Sequence, residues 1–265
     1  MSETKTRVLA SIVLLPLALF ALYYGGLPLI IAMASVSTLG TLEYLKMLNN
    51  INIEIDRRWV IVSVTLYLAL VFTEVPDVSL LWVTLLLMFV ESLVSWHPEK
   101  SVPKVFALLF GMVYTSLFPA YVVRVGLRYP EQKILLALIL MIWIVDSTAY
   151  FVGMKFGKKR NITAVSPKKS VEGFLAGAIA PWVILVILYI GKLRVLPFGH
   201  LILIAVAAGI FGQLGDLVES MLKRYCNVKD SSNLIPGHGG ILDRSDSILL
   251  AGSFLYCALI VLQKM

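Results

Sequence analysis

Long apolar runs, separated by short polar breaks, recur along the whole chain. Nine of them approach the ~20 residues that a helix needs to cross a bilayer. They cover residues 8–24, 27–45, 58–74, 78–95, 104–123, 133–153, 171–190, 200–222 and 247–263. Turn-forming residues mark several breaks: "GGLP" at 25–28, "TEVPDV" at 73–78 and "RVLPFGH" at 194–200, where glycine and proline interrupt a helix. No repeat of fixed period is present. The pattern predicts an all-α, polytopic integral membrane protein without a sizeable soluble domain. The first run has a basic flank and an apolar centre, like a signal peptide. It lacks a clear small-residue cleavage site and another run follows at once, so a retained first span is expected. Residues 1–125 hold helices expected to serve packing, lipid access and dimer contacts. Residues 126–265 hold the longer polar connections and most of the chemistry.

Composition agrees with this reading. Of 265 residues, 59% are hydrophobic and 15% charged, against ~25% charged in soluble domains; mean hydropathy is +0.88. The net charge of +7 is explained by basic loops on the cytoplasmic side, which also attract anionic lipid headgroups. No nucleic-acid partner is needed. With the N-terminus inside, 17 of the 23 lysines and arginines fall on inside segments. Arg124, Arg128, Lys133, Lys192, Arg194 and Lys264 fall outside; the first three fit the rule poorly. The two long polar connections, 154–170 and 223–246, then share the cytoplasm. Cys226 and Cys257 form no CxxC motif and no Cys/His cluster, so neither zinc nor a disulfide framework is inferred. His97 and His200 read as interfacial loop residues.

Acids inside the apolar runs change the picture, because a carboxylate at mid-bilayer costs at least ~2.5–3.5 kcal/mol. Asp146 lies in "MIWIVDSTAYFVG", Glu172 opens the seventh run, and Asp216 and Glu219 lie in "FGQLGDLVESMLKR". At helical spacing, Asp216, Glu219, Ser220 and Lys223 share a face. So do Asp146, Ala149, Tyr150 and Gly153, whose small residues allow close helix approach. Asp243, Asp246 and Ser247 form a third set if the last helix begins near Leu242. Three acidic faces around one cytoplasmic cavity would suit a hard cation such as Mg²⁺ with phosphate. The plainer reading is a set of ion pairs, Asp216 with Lys223 and Asp243 with Arg244. For Glu43 and Glu91, near helix ends, snorkelling or capping is the favoured role. "PGHGG" at 236–240 is either a plain turn or a backbone cradle for an anion. His238 is either a phosphate donor or a polar loop residue. In "SPKKSVEG" (166–173), Ser166 or Ser170 is the expected N-cap, and Lys168 and Lys169 beside a helix N-terminus favour an anion.

The stretch "SMLKRYCNVKDSSNLIPGHGGILDRSD" (220–246) closely resembles the signature of phosphatidate cytidylyltransferases, or CDP-diacylglycerol synthases. "DSTAYFVGMKFGK" (146–158), "SPKKSVEGF" (166–174) and "GDLVES" (215–220) are similar to further parts of that family. The likeness covers about half the chain, from residue 140 onward; residues 1–125 agree only in hydropathy. The resemblance implies that phosphatidic acid attacks the α-phosphorus of CTP, giving CDP-diacylglycerol and pyrophosphate. It implies Mg²⁺, with room for a second, monovalent ion such as K⁺, and a homodimer in the inner cell membrane with its site facing the cytoplasm. On this view Asp216 and Asp243 are the main metal carboxylates, with Asp246 and Asp146 as further ligands or behind them. Asp216, Asp243, Asp246 and Lys223 form the catalytic set. Lys223, Arg224, Lys229 and Arg244 meet the triphosphate or lipid phosphate, Lys168 and Lys169 form a second phosphate-binding set, and His238 and Gly239 lie at the substrate. An ion-coupled transporter and a CTP-dependent lipid or polyprenol kinase are the rivals. The first would release no pyrophosphate; the second would release CDP.

Overall fold

The computed structural model describes residues 3–130, 133–160, 162–193 and 195–264, with side chains from residue 12 to residue 263. Arg194 lies outside the described residues, as do the side chains of Lys5, Arg7 and Lys264. Each predicted apolar run becomes one helix. These are α1 (Glu3–Tyr24), α2 (Gly26–Asn49), α3 (Arg58–Phe72), α4 (Asp77–Val94), α5 (Ser101–Arg128), α6 (Ile134–Phe156), α7 (Val171–Ile190), α8 (Phe198–Tyr225) and α9 (Leu242–Lys264). Among the described residues seven helices are long and apolar enough to cross a membrane, and α3 and the described side chains of α1, Ile12–Tyr24, form shorter apolar stretches. Among the described residues no sheet forms, and only two isolated bridges occur, Arg160 with Ser170 and Ile235 with Gly239. The chain is an all-α polytopic membrane protein.

Its surface is apolar where a soluble protein's would be polar. Trp82, Val94, Tyr189 and Ile190 are all exposed, because lipid tails solvate them as well as a protein core would. Packing between helices therefore depends on close approach and polar contacts. A Cβ on Gly173 would lie 2.6 Å from the Ala149 carbonyl oxygen, so α6 and α7 meet backbone to backbone along the predicted small-residue face. A Cβ on Gly215 would lie 2.5 Å from the Asp246 carbonyl oxygen, which brings α8 against the start of α9. In the other half, a fully buried hydroxyl network ties three helices together. The Thr41 hydroxyl lies 2.7 Å from Ser63 and 2.8 Å from Thr115, and Ser63 lies 2.7 Å from Ser116. Thr115 and Ser116 belong to a π-helical turn, Val113–Leu117, within α5; α8 carries another, Ala207–Gly212. Such turns are frequent at functional sites.

Alternation of the helices sorts the charges between two ends. At one end lie the start of α4 and the ends of α5 and α9. There Arg124 donates to Asp77 at 2.8 Å and to the Leu70 carbonyl at 2.8 Å, and its guanidinium lies 5.7 Å from the Tyr256 ring. This pairing accounts for a basic residue on the sparsely charged side: Asp77 neutralises it. At the opposite end lie the C-terminal parts of α2, α4, α6 and α8 and the starts of α3, α5, α7 and α9. Both long polar connections and the acids singled out above sit there.

Candidate active site

Local sequence aims each acid. Ser170 caps α7, its hydroxyl accepting from the Gly173 amide at 3.1 Å; Ser170, not Ser166, is the N-cap. The preceding loop folds back onto this helix start, where Glu172 accepts from the Lys159 amide at 3.1 Å. The loop thereby carries Lys169 across to α8, and its ammonium lies 2.5 Å from Asp216 Oδ2. On α8, Lys223 Nζ lies 2.6 Å from Glu219 Oε2 one turn earlier, and 2.6 Å from Asp243 Oδ1 at the start of α9. The Glu219 and Asp243 side chains are only 1% and 5% exposed. The ion pairs thus differ from those expected. Asp216 pairs with Lys169 instead of Lys223, and Lys223 joins Glu219 to Asp243. Arg244 does not pair with Asp243; its Nε donates to the His238 carbonyl at 3.0 Å.

The glycine-rich stretch closes a tight turn. Ile235 N donates to the Gly239 carbonyl at 2.8 Å and His238 N to the Ile235 carbonyl at 2.9 Å. Gly237 and Gly239 adopt φ of 75° and 82°, a left-handed conformation in which glycine avoids Cβ strain. The amides after this turn do not converge on an open anion site, as the cradle reading required. Gly240 N donates to Asp243 Oδ2 at 2.8 Å. Ile241 N and Leu242 N donate to the two carboxylate oxygens of Glu43 at 2.9 and 3.1 Å. Glu43, 5% exposed on α2, neither snorkels nor caps its own helix; it accepts from the first turn of α9. Sequence reasoning missed this role, and the one available signal was an acid near the end of an apolar run, three residues before Lys46. Glu91 has a structural role of another kind than snorkelling or capping: it accepts from Trp59 Nε1 at 2.6 Å and pairs with Lys104 Nζ at 2.5 Å.

Asp146, Asp216 and Asp246 lie within electrostatic reach of one another. Among the described residues Asp146 has no hydrogen bond or ion pair, and Asp246 accepts from the Ser247 amide at 2.7 Å. Tyr114, in the π turn of α5, is 1% exposed and its hydroxyl has no hydrogen-bond partner among the described residues. It stands within electrostatic reach of Asp216, Glu219, Asp243 and Asp246. Lys168, Arg224, Lys229 and Arg244 are exposed around this end of the bundle. His238 is half-buried within the turn.

The donor chemistry fits a divalent cation in one respect. Five carboxylates, Asp146, Asp216, Glu219, Asp243 and Asp246, face two ammonium groups, Lys169 and Lys223. The surplus is negative, oxygen-only and partly removed from water, which favours a hard cation. The arrangement departs from a ready-made metal site, since among the described residues no three His, Cys, Asp or Glu side chains stand close enough to hold an ion. Asp243 is the least available of the predicted ligands. Its Oδ2 accepts from Ser231 N, Ser231 Oγ and Gly240 N, while Lys223 holds Oδ1.

Comparison with known proteins places this geometry in a family. Residues 5–262 match the model of the Cytidylyltransferase family. A phosphatidate cytidylyltransferase of Bacillus subtilis (strain 168) is 50% identical over 116 residues, 44% of this chain and 43% of the relative. Its counterpart in Haemophilus influenzae is 41% identical over 160 residues, 56% and 54% of the two chains. That of Thermotoga maritima is 33% identical over 172 residues, 63% of each. The matched stretches thus span between 43% and 63% of these relatives' lengths. The family match runs through all nine helices and both polar connections, so the chain belongs to the Cytidylyltransferase family.

Proposed function

We propose that this chain transfers the cytidylyl group of CTP to phosphatidic acid, giving CDP-diacylglycerol and pyrophosphate for phospholipid synthesis. The observation that carries the reading is the charge arrangement at one membrane end. Carboxylates from α6, α8 and α9 are interleaved with Lys169 and Lys223, and exposed cations surround them. Both reactants are polyanions, so the obstacle is charge repulsion and alignment, which oriented cations relieve. Lys168, Arg224, Lys229 and Arg244 draw in the triphosphate and the lipid phosphate. Lys169 and Lys223 each leave a carboxylate to meet phosphate oxygens. An oxygen of the phosphatidate phosphate bonds to the α-phosphorus of CTP, the bond from that phosphorus to the bridging oxygen breaks, and pyrophosphate leaves. A monoester phosphate is largely dianionic near neutral pH, its second pKa being ~6, so no general base is assigned.

Asp146, Asp216 and Asp246 do not stand close enough together in this structure to hold an ion. They would close on Mg²⁺ once Lys169 leaves Asp216 for phosphate, joined by Asp243 Oδ1 when Lys223 also moves to phosphate. A bound Mg²⁺ supplies charge neutralisation at the triphosphate. A second, monovalent ion such as K⁺ and a homodimer belong to the same proposal on the family likeness alone. The inside position of the N-terminus, and with it a site facing the cytoplasm, rests on the distribution of lysine and arginine. There CTP arrives from water while phosphatidic acid stays in the membrane.

The test is detergent-solubilised protein given α-labelled CTP, phosphatidic acid and Mg²⁺. Labelled CDP-diacylglycerol with equimolar pyrophosphate is expected. Release of CDP with a phosphorylated alcohol would establish a kinase instead, and no nucleotide turnover at all would favour a transporter.

A further inference from the structure

We propose that Glu43, on α2 in the N-terminal half, is a positioning residue that sets the aim of Asp243. The inference rests on the cytidylyl-transfer reading and deepens it. Glu43 is 5% exposed. A buried carboxylate needs donors for both oxygens, and among the described residues they come from 231–242. Ser232 Oγ and Ile241 N donate to Oε1 at 2.6 and 2.9 Å, and Ser231 Oγ and Leu242 N lie 2.9 and 3.1 Å from Oε2. Two of these donors are amides at the start of α9, which have no acceptor within their own helix. An anion there also complements the helix dipole.

Ser231 links the two acids. Its hydroxyl lies 2.9 Å from Glu43 Oε2 and 2.9 Å from Asp243 Oδ2. It has one proton, so it donates fully to only one carboxylate at a time. When Asp243 exchanges partners during the reaction, that proton can turn to Glu43 and the turn stays anchored. Gly240 completes the device: a Cβ there would lie 2.0 Å from Ser231 Oγ and 2.4 Å from Glu43 Oε2. The second glycine of "GG" makes room for these two oxygen atoms.

Two measurements on the full chain in detergent test this. The first is hydrogen exchange across residues 240–243 without metal or substrate. Glu43→Gln offers a donor where Leu242 N or Ser231 Oγ needs an acceptor, and exchange there is expected to quicken. The second is the Mg²⁺ dependence of CDP-diacylglycerol formation. The half-activating Mg²⁺ concentration is expected to rise on the order of 10-fold, as for other groups that orient metal-binding carboxylates, with KM for CTP changed less than ~2-fold. Loss of folded protein alone would lower the yield without moving either midpoint or exchange. Ser232→Ala, which touches Glu43 and not Asp243, is expected to shift both readouts the same way by less. Unchanged exchange and an unchanged Mg²⁺ midpoint in Glu43→Gln would overturn the proposal. Should that variant fail to accumulate, the same null result in Ser232→Ala would do so. If the wild type makes no CDP-diacylglycerol, the cytidylyl-transfer reading fails, while the exchange measurement still decides whether Glu43 anchors the turn.

Discussion

Lys223→Met removes one ammonium group that two buried carboxylates share. Glu219 and Asp243 each lie 2.6 Å from Lys223 Nζ, with side chains 1% and 5% exposed. Methionine fills similar volume without charge. Breaking a buried pair by removing one partner costs about 3–5 kcal/mol, because an uncompensated charge stays behind. Asp243 retains three donors on Oδ2, so the penalty falls mainly on Glu219, whose Oε1 has no hydrogen bond among the described residues. At about 2–4 °C per kcal/mol for a chain of this size, Tm should fall by roughly 6–20 °C. The assay is thermal unfolding in detergent, followed by tryptophan fluorescence, with divalent ions removed. Added Mg²⁺ should then raise Tm more in the variant than in the wild type, because a cation can replace the lost charge. A Tm within about 2 °C of wild type would refute the reasoning, since it would mean these carboxylates are not confined together around the lysine.

Three other outcomes follow from the same geometry. Asp216→Asn should lower CDP-diacylglycerol formation by about 100-fold while Tm holds, since its partner Lys169 is one third exposed; undiminished turnover would remove Asp216 from the site. Gly240→Ala should destabilise the chain by about 1–3 kcal/mol through overpacking and abolish activity, read as a lowered Tm and absent product. Arg124→Gln, at the opposite membrane end, should lower Tm by leaving Asp77 with the Tyr121 hydroxyl but without its cation, and leave the half-activating Mg²⁺ concentration unchanged in the same turnover assay.

Much of the fold was legible because its determinants are local. Apolar run length predicted each of the nine helices, and only their ends moved by a few residues. The last helix begins at Leu242, five residues before its apolar run, since Asp243 and Asp246 are polar but helical. Of the face of Asp146, Ala149, Tyr150 and Gly153 read from spacing, Ala149 and Gly153 do meet α7, while Tyr150 is exposed. Pairing was not readable. Asp216 takes its partner from a loop 47 residues away in sequence, and Glu43 takes amides 198 and 199 residues away. The glycine pair was ambiguous for the same reason: its backbone freedom suits an anion of any origin, and here the anions are the protein's own Glu43 and Asp243.

The sequence by itself determined which segments form apolar helices and which acids share an end, because hydropathy and helix parity depend on order along one chain. Only the tertiary structure decided which cation faces which carboxylate and that the N-terminal half reaches the site. Ion pairing and hydrogen bonding fall off within a few ångströms, and those separations depend on how closely helices approach. That approach is set where Gly173 meets Ala149 and Gly215 meets Asp246, contacts between residues distant in the chain.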